Sequence, residues 1–152
     1  MSEISEVDAV RAAVVESGIA GDVNTLARDA NDLVRQLRPL AGIEIYDLDM
    51  ESLDGTQEYI MLLKDMFEFS GVALRPRRTR IHKLNDQPRQ LSMTFQLQGD
   101  IVEWRFEHTS GWVSEEFLEH ALSLLKSHGS GRLYCLLTDD AYAYLILLKP
   151  VS

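Results

Sequence analysis

The sequence predicts an α+β fold: a mostly antiparallel sheet of about five to six strands packed by helices, with an N-terminal antiparallel helical hairpin. Three observations predict it. Apolar residues recur at helical spacing in separate stretches, of which 23–37 and 117–125 are the cleanest. Leu91, Met93, Phe95 and Leu97 alternate with Ser92, Thr94, Gln96 and Gln98, a half-buried strand with one wet face. The stretch Tyr142 to Leu148 is apolar on both faces, so a layer must cover each side of it.

Residues 5 to 17 read as a first helix. Ser5 is placed to cap it, Glu6 and Asp8 suit its first turn, and Val7, Val10, Val14 and Val15 form its apolar side. Gly18 ends it. A second helix is expected from Asp22 to Leu37, with Val23, Leu26, Ala27, Ala30, Leu33, Val34 and Leu37 on one stripe and Pro39 blocking continuation. Ile43 to Leu48 reads as a short strand. Asp54 and Gln57 resemble a capping box opening a helix that carries Tyr59, Ile60, Leu62, Leu63, Met66, Phe67 and Phe69 and stops at Gly71. It is apolar around more than half its circumference, which predicts a central position.

Val72 to Leu84 is expected to be extended but irregular because of Pro76, and Asn85 to Pro88 to be a turn. The strand at 91–97 then turns at Gly99 and Asp100 and returns through Val102, Trp104 and Phe106, with Glu103, Arg105 and Glu107 on the wet face. Ser114 caps the next helix, in which Phe117, Leu118, Ala121, Leu122, Leu124 and Leu125 form one apolar stripe until Gly129 and Gly131 end it. Strands at Arg132 to Leu137 and Tyr142 to Leu148 close the chain around Thr138, Asp139 and Asp140.

The element order is therefore α-α-β-α-β-β-β-α-β-β. The chain is read as one domain, 1–152, with a helical arm at 5–38 and an α+β core at 43–150. A shift of 58 residues aligns Ile43 with Ile101, Tyr46 with Trp104, Tyr59 with Phe117, Phe67 with Leu125 and Gly71 with Gly129. A strand–helix–strand pseudo-repeat would explain that alignment; chance register between two strand–helix units would also produce it.

Composition excludes several classes. A chain of 152 residues that is 45% hydrophobic can bury a full core, which argues against disorder and disulfide stapling. The net charge of -9 disfavours nucleic acid and anionic membrane as partners. The single cysteine, Cys135, alternates with Leu133 and Leu137 and reads as a buried small hydrophobe. Acidic residues at 3, 6 and 8 do not resemble the basic start of a signal peptide, and the longest apolar run is too short to span a bilayer, so a cytoplasmic protein is expected.

No motif specifies a chemistry: there is no G-x-S-x-G, P-loop or G-x-G-x-x-G, and His82, His108, His120 and His128 show no metal-ligand spacing. No catalytic residue, cofactor or metal is expected. Four groups remain as candidates. The acidic run Glu44, Asp47, Asp49, Glu51, Asp54 and Glu58 suits a basic protein partner; a solvated loop is the plain alternative, and a hard cation at Asp47, Asp49 and Glu51 a weaker one. Six of the fifteen basic residues lie between Arg75 and Arg89. Arg78, Arg80 and His82 there are the candidate anion-binding set, with Glu103 and Arg105 beside them, although charges on an edge strand also prevent edge-to-edge pairing. Trp112 either staples the last helix onto Phe117 or is an exposed interface anchor. Tyr134, Tyr142 and Tyr144 read as core.

These features favour a non-enzymatic protein-binding module. Its concrete form is an acidic inhibitor of the immunity-protein kind, docking a basic toxin or nuclease through Asp47, Asp49, Glu51, Asp54 and Glu58. A homodimeric adaptor, similar in element order from Asp54 onward to secretion chaperones, is the alternative, with the two-faced last strand as its seam. A small-ligand binder or enzyme is the third.

Overall fold

The structure, a computed structural model, describes residues 5–53, 56–86, 89–129, 132–138 and 141–149. Its helices are α1 (Val7–Glu16), α2 (Ala30–Leu37), α3 (Thr56–Ser70) and α4 (Glu115–His128). Its strands are β1 (Ile43–Asp49), β2 (Arg77–Asp86), β3 (Arg89–Leu97), β4 (Asp100–Glu107), β5 (Arg132–Leu137) and β6 (Tyr142–Leu148). The order is the one the sequence implies, and every strand pair is antiparallel. The six strands form two three-stranded sheets, β1-β6-β5 and β2-β3-β4. The chain gathers into two compact units, Met1–Asp49 with Ser130–Ser152, and Met50–Gly129.

In the first unit β6 is the central strand, pairing Ile43 with Leu148 on one side and Leu133 with Leu147 on the other. One face of this sheet, with Leu136, Ile146 and Leu148, packs with Val10, Val14, Leu33, Val34 and Leu37 of α1 and α2. The helical arm therefore closes a core of its own unit. Ala143, Leu145 and Leu147, on the opposite face of β6, are buried as well. Cys135 is buried, as its alternation implies.

Two expectations for the arm are corrected. Ser5 does not cap α1: its Oγ accepts the Leu137 N–H at 3.1 Å, while the Glu6 N–H donates to the Cys135 carbonyl at 2.8 Å. The residues before the helix thus satisfy the outer edge of β5, which otherwise presents unpaired backbone groups. The expected helix from Asp22 to Leu37 is also broken, into a 3-10 turn at Val23–Thr25 and α2. Side chains claim the backbone between them. Gln36 bonds the Ala27 N–H and the Thr25 carbonyl, and Asp29 caps α2 by accepting from the Asp32 N–H at 3.1 Å. Arg11, 7% exposed, donates to the carbonyls of Leu26 at 3.2 Å and Val23 at 2.9 Å. Apolar periodicity does not register such side-chain competition for backbone groups.

In the second unit, α3 and α4 touch each other and cover the inner face of β2-β3-β4. Leu91, Met93, Phe95, Trp104 and Phe106 are buried there. Tyr59 of α3 lies 4.9 Å from both Phe106 and Phe117, and Phe117 of α4 lies 5.5 Å from Phe106. Three fully buried rings from three elements make this cluster the centre of the unit, and aromatic pairs at such spacing add to burial. The helix at 56–70 is therefore central, as its broad apolar surface requires. Under the 58-residue shift β1 falls on β4 and α3 on α4, whereas β2 and β3 do not fall on β5 and β6.

The β3–β4 turn sits one residue earlier than expected. Gln98 and Gly99 both have positive φ, +52° and +86°, and Leu97 pairs with Asp100. A two-residue hairpin turn of this twist needs φ > 0 at both central positions, so Asp100 is returned to the strand. The extended stretch begins at Arg77, after Pro76, and runs through Asn85 and Asp86, two residues expected in a turn. Gln87 and Pro88, like Asp54, Gly131, Asp139 and Asp140, lie outside the described residues, and so do the capping box and final hairpin turn expected there.

Candidate functional site

The polar face of β2-β3-β4 is read off the register. Cross-strand partners share a face, which gives the rows Arg77–Gln96–Ile101, Arg80–Thr94–Glu103, His82–Ser92–Arg105 and Asn85–Gln90–Glu107. The structure therefore brings Arg80, His82, Glu103 and Arg105 together, as expected. Arg78 sits apart, at φ +54°, in the irregular step between Arg77 and Arg80. The face is open: Arg80, His82, Glu103 and Arg105 are all exposed. Glu103 pairs with Arg105 at 3.3 Å and lies 3.4 Å from the Ser92 hydroxyl, which donates to it. Arg77, Arg78 and Arg80 have no ion pair among the described residues, whereas Lys83 pairs with Asp86 at 2.6 Å.

The acidic run is engaged within the chain. Glu44 pairs with Lys149 at 2.6 Å. Asp47 receives both of its bonds from the Arg38 Nη2 at 3.1 Å, and that guanidinium lies 5.7 Å over the Tyr144 ring. Asp49, Glu51 and Glu58 also have interactions of their own. Asp47 and Asp49 belong to the first unit, Glu51 and Glu58 to the second, and Asp54 lies outside the described residues. No group of three or more acidic, histidine or cysteine side chains is arranged to hold a metal among the described residues.

A different acidic surface surrounds Trp112. This residue is 45% exposed, and its indole makes no ring contact or hydrogen bond among the described residues. Its ring is not among the ring partners of Phe117, which packs on Tyr59, Trp104 and Phe106. Trp112 lines a pocket of about 200 Å³ with Glu107, Thr109, Ser114, Glu115 and Glu116. The pocket is held in shape from below. Ser114 caps α4, its Oγ accepting from the Phe117 N–H at 3.2 Å. The Glu116 carboxylate accepts the Glu107 N–H at 3.2 Å.

Beneath it lies a buried polar hub that sequence patterning missed. The Tyr59 hydroxyl is 2.6 Å from His108 Nδ1, accepts the Ser114 N–H at 3.0 Å and reaches the Trp112 carbonyl at 3.5 Å. Burial pushes the Tyr59 phenol up to about 12, against the opposing pull of the Ser114 N–H, which favours the phenolate. The hub ties the centre of α3 to the loop that carries Trp112. The signal in the sequence was a tyrosine among apolar residues at core spacing, whose hydroxyl needs a partner when buried. His120, by contrast, is exposed and stacks on Trp104 at 5.5 Å.

Compared with known proteins, the chain matches no family, and neither a curated protein nor a solved structure is significantly similar to it. No helix among the described residues is long and apolar enough to cross a membrane.

Proposed function

We propose that this chain is a non-enzymatic protein-binding module that docks a basic protein, acting as an acidic inhibitor of a partner such as a toxin or nuclease. The observation that supports this reading is Trp112: a large, half-exposed ring held by a buried network and ringed by Glu107, Glu115 and Glu116. Tryptophan is the side chain most enriched among interface hot spots, and carboxylates beside it favour a Lys or Arg, which can also stack on the indole. The docking surface proposed is therefore this pocket and not the run from Asp47 to Glu58. In that run Asp47 is held by Arg38, so binding a partner there requires breaking an internal pair. A homodimeric adaptor with the last strand as its seam is the second reading, and the burial of Ala143, Leu145 and Leu147 counts against it.

The test is capture of partner from the source lysate at low salt, comparing wild type, Trp112→Ala and Glu107→Lys/Glu115→Lys. The reading expects one basic protein retained by the wild type and lost by both variants, with unchanged unfolding midpoints. Equal capture by all three refutes this surface. Capture lost only on reversing Asp47, Asp49 and Glu51 returns the docking face to the acidic run.

A further inference from the structure

We propose that the groove between the α3–β2 loop and the β3–β4 turn is an oxyanion site, taking the phosphate or carboxylate group of a small ligand. It stands apart from the Trp112 pocket and does not depend on it. The groove has a volume of about 380 Å³ and is lined by Leu74, Arg75, Arg77, Gln96, Gln98 and Gly99, with no carboxylate among its lining residues. That volume lies in the range of small-molecule sites, about 300–1,000 Å³.

The two arginines have different states. Arg75 is fixed: its Nη1 donates to the Val72 and Leu74 carbonyls of its own loop. One nitrogen is thereby committed, and the guanidinium is oriented before any ligand arrives. Arg77 has no ion pair among the described residues and lies directly across from Gln96. Two guanidinium groups and two carboxamides, Gln96 and Gln98, supply N–H donors to one concavity, and the planar guanidinium fork matches both phosphate and carboxylate oxygens.

Arg75, Arg77 and Arg80 concentrate positive charge at this end of the sheet in a chain of net charge -9; the nearest acids along the strands are Asp100, beside Gly99, and Glu103, which pairs with Arg105. Arg80 continues the cationic column on the same face. Glu107 of the acidic pocket lies six residues along β4 from Ile101, at the far end of the sheet, roughly 20 Å away at strand spacing. That exceeds the Debye length of about 8 Å at physiological salt, so the acidic end does not cancel the cationic one. Edge protection explains charged residues on β2 in general. It does not require a concavity with a pre-oriented arginine and no acid.

The experiment is an NMR titration of the full chain, following the Arg Nε–H and Gln side-chain amide signals of Arg75, Arg77, Gln96 and Gln98. Sodium phosphate and sodium acetate are compared with sodium chloride at equal ionic strength. The inference expects saturable shifts at these four residues with phosphate, acetate or both, and binding weakened about tenfold or more in Arg77→Gln. Saturation with phosphate alone assigns a phosphate ligand, and with acetate alone a carboxylate. Shifts that chloride reproduces, or binding that Arg77→Gln leaves intact, overturn the site. Arg77 is exposed, so an unchanged urea midpoint confirms that the variant folds.

Discussion

Tyr59→Phe isolates the buried hub, because it deletes one oxygen and leaves the ring. The phenyl group keeps the contacts to Phe106 and Phe117 at 4.9 Å, so little apolar burial is lost. What disappears is the acceptor for the Ser114 N–H and the partner of His108 Nδ1, both in buried residues. A buried polar group left without its bond costs about 1–3 kcal/mol, so two of them predict a loss of roughly 2–6 kcal/mol. For a chain of this size that is a fall in Tm of roughly 4–24 °C. The assay is urea unfolding by fluorescence and circular dichroism, with the slope m checked for constancy. A second readout is specific to the phenol. Burial pushes it up to about 12 in the folded state, above the ordinary phenol value of about 10, so the folded state holds the proton longer. Its stabilisation is complete below pH 10, and is lost as pH rises from 10 through about 12, an effect of roughly 2–3 kcal/mol by linkage. The difference between wild-type and variant phenolate titrations at 295 nm should show one step near pH 12, and the variant should lose that part of the alkaline fall in stability. A variant within about 0.5 kcal/mol of wild type, with no such step, refutes the hub.

Three further predictions concern single elements. Gly99→Ala should destabilise by about 1 kcal/mol or more, because φ is +86° there although nothing crowds the new methyl; urea midpoints measure it, and Gln98→Gly, relieving φ +52°, should not destabilise. Ser114→Ala should cost about 1 kcal/mol by removing the α4 cap, with amide exchange fastest at Phe117. Arg11→Lys should cost roughly 1–2 kcal/mol, since one ammonium cannot replace a fork that bonds both Val23 and Leu26, and the exchange of residues 22–29 should rise with it.

Much of the fold was legible because period and capping are local. Ser114 before Glu115 and Glu116 announced α4, and the bonded cap is the one seen. Alternation from Leu91 to Leu97 gave β3 with its inner face correctly assigned. The errors fall where a distant side chain decides local backbone. Arg11, Gln36 and Asp29 interrupt an apolar stripe that reads as one helix, and β5 takes Ser5 away from the helix it precedes. The candidate sites show the same division. Arg80, His82, Glu103 and Arg105 share a face because strands alternate, which a sequence displays. The attachment of Arg38 to Asp47, and of Tyr59 to His108, joins residues distant in the chain, and no local pattern encodes it.

By itself, then, the sequence determined the element order, the buried side of each hairpin strand, the helix caps at Ser114 and Gly129, and the net charge. Tertiary structure alone decided that six strands make two sheets, that the helical arm covers one face of β6 in its own unit, that Glu44 and Asp47 are paired internally, and that Trp112 stays half exposed. The physical reason is range. Periodicity and capping are fixed by neighbours within a few residues, whereas burial and ion pairing depend on which distant segments meet, and that is settled by the packing of the whole chain.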